Sequence, residues 1–215
     1  VVDFGGMMVG AAVDMGKAAD ASDRLRSSFD GLAAGAGVSS SEIMTRLKQA
    51  SGGAIAEYDL MLAANKAMIL GVADSADEMG KLMEIARTRG AAMGLSATQA
   101  FNDLVTGLGR GSALILDNLG IVVDAEATNA AYAESIGKTV AQLTEQEKKQ
   151  ALVNATLKEA TGQAMPAASA YERMGAAMAD MKVELGDLFG PAITAAANMI
   201  AQGIGAINDS LELPA

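Results

Sequence analysis

The 215 residues contain no cysteine, no histidine and no tryptophan. Without cysteine there is no disulfide framework, no thiolate nucleophile and no sulfur-ligated zinc. Without histidine there is no Ser-His-Asp triad and no imidazole metal ligand. Aromatics make up only 3% of the chain and there are 3 prolines, although 51% apolar residues are ample for a core. Positive charge is scarce too: 16 Lys and Arg against 26 Asp and Glu leave a net charge of −10. No Lys/Arg cluster occurs of the kind that neutralises phosphates, which argues against sustained nucleic-acid binding. The pattern points to no cofactor and no metal. The chain opens on Val1 and so reads as an excerpt of something longer, and its first stretch lacks the basic region of a secretory signal.

What is present is apolar and small: 51% hydrophobic residues, 24 glycines and 14 methionines. Alanine, leucine, methionine, glutamate, glutamine and lysine dominate, all good helix formers, and no sustained two-residue alternation appears. The expected class is all-α. Residues 1–38 read as one weak helix followed by a hinge. Gly5, Gly6, Gly10 and Gly16 interrupt it, Leu25, Phe29 and Leu32 share a face, and Gly31, Gly35 and Gly37 break its end. Each interior glycine costs such a helix roughly 1 kcal/mol against alanine.

Residues 39–162 carry repeated helix starts. Ser39–Glu42, Ser75–Glu78, Ser96–Gln99, Thr139–Gln142 and Thr144–Glu147 all fit the S/T-x-x-E/Q capping box, which pairs otherwise orphaned amides. Apolar stripes follow at helical spacing: Ile43 with Leu47; Met79, Leu82, Met83 and Ala86; Phe101, Leu104, Val105 and Leu108; Tyr132 with Ile136; Leu152, Val153 and Leu157. Gly94, Gly111, Gly137 and Gly162 stand where helices close. Short helices that cannot bury a stripe alone imply a compact helical module.

Residues 163–215 change character. Tyr171, Met174, Met178, Met181, Leu185 and Leu188 alternate spacings of three and four, a heptad seam with Tyr171, Met178 and Leu185 at a. Gly190-Pro191 interrupts it, with proline suited to the first position of a new helix. A second seam follows in shifted phase through Ile193, Ala197, Ile200, Ile204, Ile207 and Leu211, so two helices meeting at a bend are expected. The seams predict self-association, although their a and d residues do not choose between two, three or six strands. The uncharged run from Leu188 to Asn208 has the length of a membrane span, but Pro191, Asn198, Gln202, Gly203 and Gly205 weaken it, and helix packing is the better reading.

Other constellations have plain structural readings. Gly107-Leu-Gly-Arg-Gly-Ser112 lacks the lysine and the preceding strand of a phosphate loop, and reads as a glycine-rich helix end. Asp117, Asp124 and Glu126 fail the ligand spacing of an EF-hand; Asp124 reads as the N-cap of a helix opening at Ala125. Met174, Met178 and Met181 form a soft stripe suited to packing.

One ordered series goes further. Gln99-Ala-Phe-Asn-Asp-Leu-Val-Thr-Gly-Leu continues through Gly109, Arg110, Gly111 and Ser112 into Leu114-Ile115-Leu116-Asp117-Asn118-Leu119-Gly120-Ile121. Then come Ile136-Gly137-Lys138-Thr139 and Leu143-Thr-Glu-Gln-Glu-Lys-Lys-Gln-Ala-Leu152. This series resembles the helical domain of tape measure proteins from bacteriophage and prophage tails, over residues 39–162. Ala113 departs from the pattern, since many relatives carry proline after the Gly-Arg-Gly-Ser segment. The resemblance implies a structural protein and no enzyme: a chain lying in the tail-tube lumen of the virion, made in the bacterial cytoplasm, setting tail length and leaving on genome ejection. It implies as partners further copies of the chain (a trimer, with a hexamer as the alternative), the tail tube, and tail-tip or baseplate proteins. A membrane-active segment that opens the host envelope on ejection is the alternative function, with the host membrane as partner. A peptidoglycan hydrolase, which some such proteins carry as a separate domain, is the enzyme alternative; the carboxylates here sit at caps and on exposed faces.

Overall fold

The computed structural model describes residues 4–159 and 167–211. It is all-helical: among the described residues there are nine α-helices and no strand. In chain order these are α1 (Phe4–Ala36), α2 (Ser40–Ser51), α3 (Glu57–Ile69), α4 (Ala76–Ala92), α5 (Ala97–Gly109), α6 (Ala113–Asp117), α7 (Ala125–Ser135), α8 (Glu145–Glu159) and α9 (Ala170–Leu211). A short 3₁₀ turn, Val140–Gln142, joins α7 to α8.

Two compact units result, with boundaries inside the long helices: residues 25–177 group together, and residues before 25 group with those after 177. The boundary read from sequence near residue 162 lies outside the described residues, as does Gly162.

In the larger unit the hydroxyl and carboxylate caps do what their spacing requires. The Ser39, Ser75 and Ser96 hydroxyls accept the amides of Glu42, Glu78 and Gln99 at 3.4, 3.3 and 3.2 Å. Asp124 Oδ1 accepts from the Glu126 and Ala127 amides, both at 3.0 Å, and opens α7. Thr144 and Glu147 form a complete reciprocal box at the start of α8. Thr139–Gln142 differs from expectation. Thr139 N donates to Gln142 Oε1 at 2.9 Å, but the box closes on the 3₁₀ turn and opens no α-helix.

These helices bury one shared core. α2 packs on α4, α4 on α5, and α5 on α3 and α6, while α8 lies against α7 and reaches α5. Ile43, Leu47, Met79, Leu82, Met83, Phe101, Leu104, Val105 and Leu108 are all buried, joined by Phe29 from α1 and Leu152 and Val153 from α8. α3 contributes Leu60, Met61, Ala63, Ala64 and Ala67 to the same core without a side-chain cap, Ala56 being its N-cap. Ile136 is a correction: it is exposed, and Ala133 is the buried residue of α7. Leucine and alanine fill a space that aromatics would usually hold, so the helices must come close. A Cβ on Gly90 of α4 would lie 2.4 Å from Ala100 Cβ of α5, and one on Gly107 would lie 2.7 Å from Leu116 Cδ2 of α6.

The smaller unit contains the first part of α1 and α9 from Met178 onward. Ala19, Ser22 and Gly186 are buried there. Two expectations about the long helices are overturned. Gly31 and Gly35 lie inside α1, which ends only at Ala36 before the positive φ of Gly37. α9 runs unbroken from Ala170 to Leu211 with Pro191 inside it. Proline removes one backbone hydrogen bond and crowds the preceding turn, a local cost of about 3 kcal/mol that the long hydrogen-bonded runs on either side outweigh.

The close approach at Gly90 is testable by a double-mutant cycle. Gly90→Ala gains helix propensity yet should destabilise by about 1–3 kcal/mol through overpacking. Ala100→Gly in the same chain should relieve the clash, giving a coupling above about 1 kcal/mol in urea denaturation. Additive effects would mean that the two helices do not meet there.

Candidate functional site

The residues of the ordered series from Gln99 to Leu152 form a sequence of helix ends. α5 closes on Gly111, whose φ is +62°: Gly111 N donates to Leu108 O at 3.0 Å and Ser112 N to Gly107 O at 2.8 Å. That paired pattern is a Schellman closure, and it needs a residue comfortable in the left-handed region. Nine residues on, α6 closes in the same way on Gly120 at φ +65°, with Gly120 N donating to Asp117 O at 2.8 Å and Ile121 N to Leu116 O at 3.1 Å. Around the two closures Leu116, Leu119 and Ile121 are fully buried, while Arg110, Asp117 and Asn118 are exposed. Gly109 is buried because α5 approaches Leu70 there; a Cβ would lie 2.5 Å from Leu70 Cδ1. Arg89 of α4 holds the corner from outside, its guanidinium 3.5 Å from Gly120 O.

The Ile136–Thr139 motif closes α7 on Gly137 and runs into the 3₁₀ turn. Lys138 forms an ion pair with Glu147, tying it to the Leu143–Leu152 motif. Glu147 Oε2 also accepts from the Thr144 amide at 2.8 Å and its hydroxyl at 3.0 Å. The Lys138 ammonium, followed by the Thr144 amide, lowers the Glu147 carboxyl to about 2. Lys149 Cγ of α8 stands 4.0 Å from where a Cβ on Gly111 would be, so α8 brings the motif segments side by side. A shallow groove of about 400 Å³ runs between α7 and α8 over Ala127, Ala131, Tyr132, Ala151 and Ala155.

Two further charge clusters were not legible as sites. Glu57 accepts from Lys48 at 2.5 Å and Arg26 at 2.9 Å. Burial pushes its carboxyl up, but the two cations outweigh that and hold it below the usual range. Arg87 is buried beside the Gly52 turn and donates from Nη1 to Ala50 O at 2.7 Å, capping the end of α2. Burial lowers this guanidinium from its ordinary value, with Glu172 and Glu84 opposing. Glu172 is itself the partner of Ser169 in a complete capping box that opens α9: Ser169 N donates to it at 2.8 Å, and the Glu172 amide returns a bond to Ser169 Oγ at 3.1 Å. Among the described residues, no group of three or more acidic side chains is placed to hold a metal ion.

The seam on α9 is brought together along one helix and left uncovered. Tyr171, Met174, Met178, Met181, Leu185 and Leu188 are all exposed, and Phe189 beside them is exposed as well. The side chains of Ile193, Ala197, Ile200, Ile204, Ile207 and Leu211 lie outside the described residues.

Two outcomes follow from the charged contacts. Glu147 has a folded-state pKa near 2 against an ordinary 4.5, so its stabilisation is complete above about pH 4.5 and is lost as pH falls toward 2. Glu147→Gln should therefore show a stability deficit that is constant at pH 5–7 and shrinks below pH 4.5 in acid denaturation curves; a deficit independent of pH would remove the ion pair. Arg87→Met should lower stability by about 1–3 kcal/mol, because the Ala50 carbonyl loses its buried donor. Chemical denaturation checks it. No protein-family model matches the chain, and no curated protein or solved structure matches it either.

Proposed function

We propose that this chain is part of a phage-tail tape measure protein, a helical spacer that occupies the tail-tube lumen and sets tail length. One observation carries the reading: the ordered motif series from Gln99 to Leu152 coincides with consecutive helix ends, buried anchors and one ion pair of a single helical unit. Those residues specify how helices turn and pack, which is what a spacer requires. In this reading residues 39–162 are a capped-helix bead, and α9 is a coiled-coil-like element for assembly or for docking at the tail tip. The net charge of −10 suits a lumen through which DNA passes without adhering. Small side chains suit several helices sharing a narrow bore. The reading assigns the chain no reaction, and its place is inside the virion tail.

The membrane-active alternative draws no comparable support. No helix among the described residues is long and apolar enough to cross a membrane.

Tail length is the measurement that decides. A tandem duplication of the 42 residues of α9 within the parent phage protein should lengthen the tail by about 63 Å, at about 1.5 Å per helical residue. Electron micrographs showing tails of unchanged length would overturn the ruler.

A further inference from the structure

Within the larger unit, α7 is held lightly. Of its 11 residues only Ala133 is buried. The helix packs on α8 and the 3₁₀ turn. Ala127, Ala131 and Tyr132 line one wall of the groove of about 400 Å³, and Ala151 and Ala155 the other, so side chains too short to meet leave open what a core would close. The apolar side chains flanking the helix, Val122, Ile136 and Val140, are exposed and add nothing to the hold. What remains is the Lys138–Glu147 ion pair, whose side chains are 39% and 23% exposed, and pairs within reach of water contribute little. The chain is anchored on either side of this segment, because Ile121 before it and Leu143 after it are buried.

We infer that α7 is a hinged cover on α8, which opens on its own while α2 to α5 and α8 stay folded. Two arguments carry this. The apolar surface lost on opening is that of one buried alanine and a half-buried tyrosine, so local opening costs far less than unfolding the core. A helix of 11 residues is also marginal alone in water, so once off α8 it melts, and the chain entropy it regains favours the open state. The limits of the moving piece are set locally. Asp124 caps its start through the Glu126 and Ala127 amides, and Gly137, at φ +69°, turns the chain after its end. Opening frees residues 122–142 without shifting Ile121 or Leu143, and it uncovers Ala151, now 1% exposed at the groove. The inference stands on this packing alone and holds whether or not the chain is a tail spacer.

Amide hydrogen exchange on the whole chain, read by mass spectrometry, tests it. The amides of α7 should exchange at least about 100-fold faster than those of α5, since local opening precedes the global event. Lys138→Gln leaves the Thr144–Glu147 box in place and removes only the ion pair. It should speed exchange in α7 about two- to fivefold, the worth of an exposed pair, with α5 unchanged. Ala131→Leu should do the opposite. A longer side chain fills the groove and should slow α7 severalfold, although leucine is no better a helix former than alanine. A gain in protection cannot come from a variant that fails to fold. If α7 exchanges at the rate of α5, the helix opens only with the whole unit and the inference is overturned. A Lys138→Gln effect spread equally over both helices overturns it too, as does an Ala131→Leu variant in which α7 exchanges no more slowly.

Discussion

The constraint on which the larger unit depends is how closely its helices must approach. With aromatics at 3% of the chain, volume cannot come from rings, and among the described residues Phe29 and Phe101 are the buried aromatics. A core of leucine, methionine and alanine reaches native density only if the helix axes move together. Glycine at the crossings permits that. Gly90 against Ala100 and Gly107 against Leu116 leave no space for a further carbon. The same substitution of small for large explains why the unit is assembled from many short helices. Each buries a narrow stripe, and none is stable until its neighbours close over it.

Much of this was legible because local chemistry and tertiary position coincide. Ser39, Ser75, Ser96, Asp124 and Thr144 cap the helices they precede, since an N-cap bond is decided within four residues. The stripes that follow the caps of α2, α4 and α5 are buried, whereas Ile136 of α7 is not. What was not legible lacked a local signal or had one overruled. α3 begins at Ala56 with no side-chain cap and follows the Gly52 and Gly53 turn, so nothing in the sequence marks its start. Ser169 and Glu172 do carry a box, and it was readable from the same rule. Thr139 shows the opposite error: its box is formed, but the chain turns away after three residues because Leu143 must be buried and Thr144 caps afresh. Gly31, Gly35 and Pro191 each weaken a helix by a local amount, and in helices of 33 and 42 residues that amount does not decide the outcome.

The motif residues illustrate why a resemblance of this kind speaks to architecture before chemistry. Gly111 and Gly120 fill left-handed closures, Leu116, Leu119 and Ile121 are anchors in the core, and Lys138 reaches across to Glu147. The exposed members, Arg110, Asp117 and Asn118, do not converge on a cavity; the pocket between α7 and α8 is floored by alanines and lined by none of them.

α9 applies the same logic on one of its faces. A helix that presents glycine and valine to its own unit spends little apolar area there, so its larger side chains remain available for something else. In a monomer built to remain alone, a row of three methionines, two leucines and a tyrosine spaced by threes and fours would be an aggregation liability. In an assembly it is the economical arrangement: small residues allow close approach within the chain, and large ones provide area between chains. The methionines add tolerance, because an unbranched thioether fills irregular gaps and can accommodate several neighbour geometries.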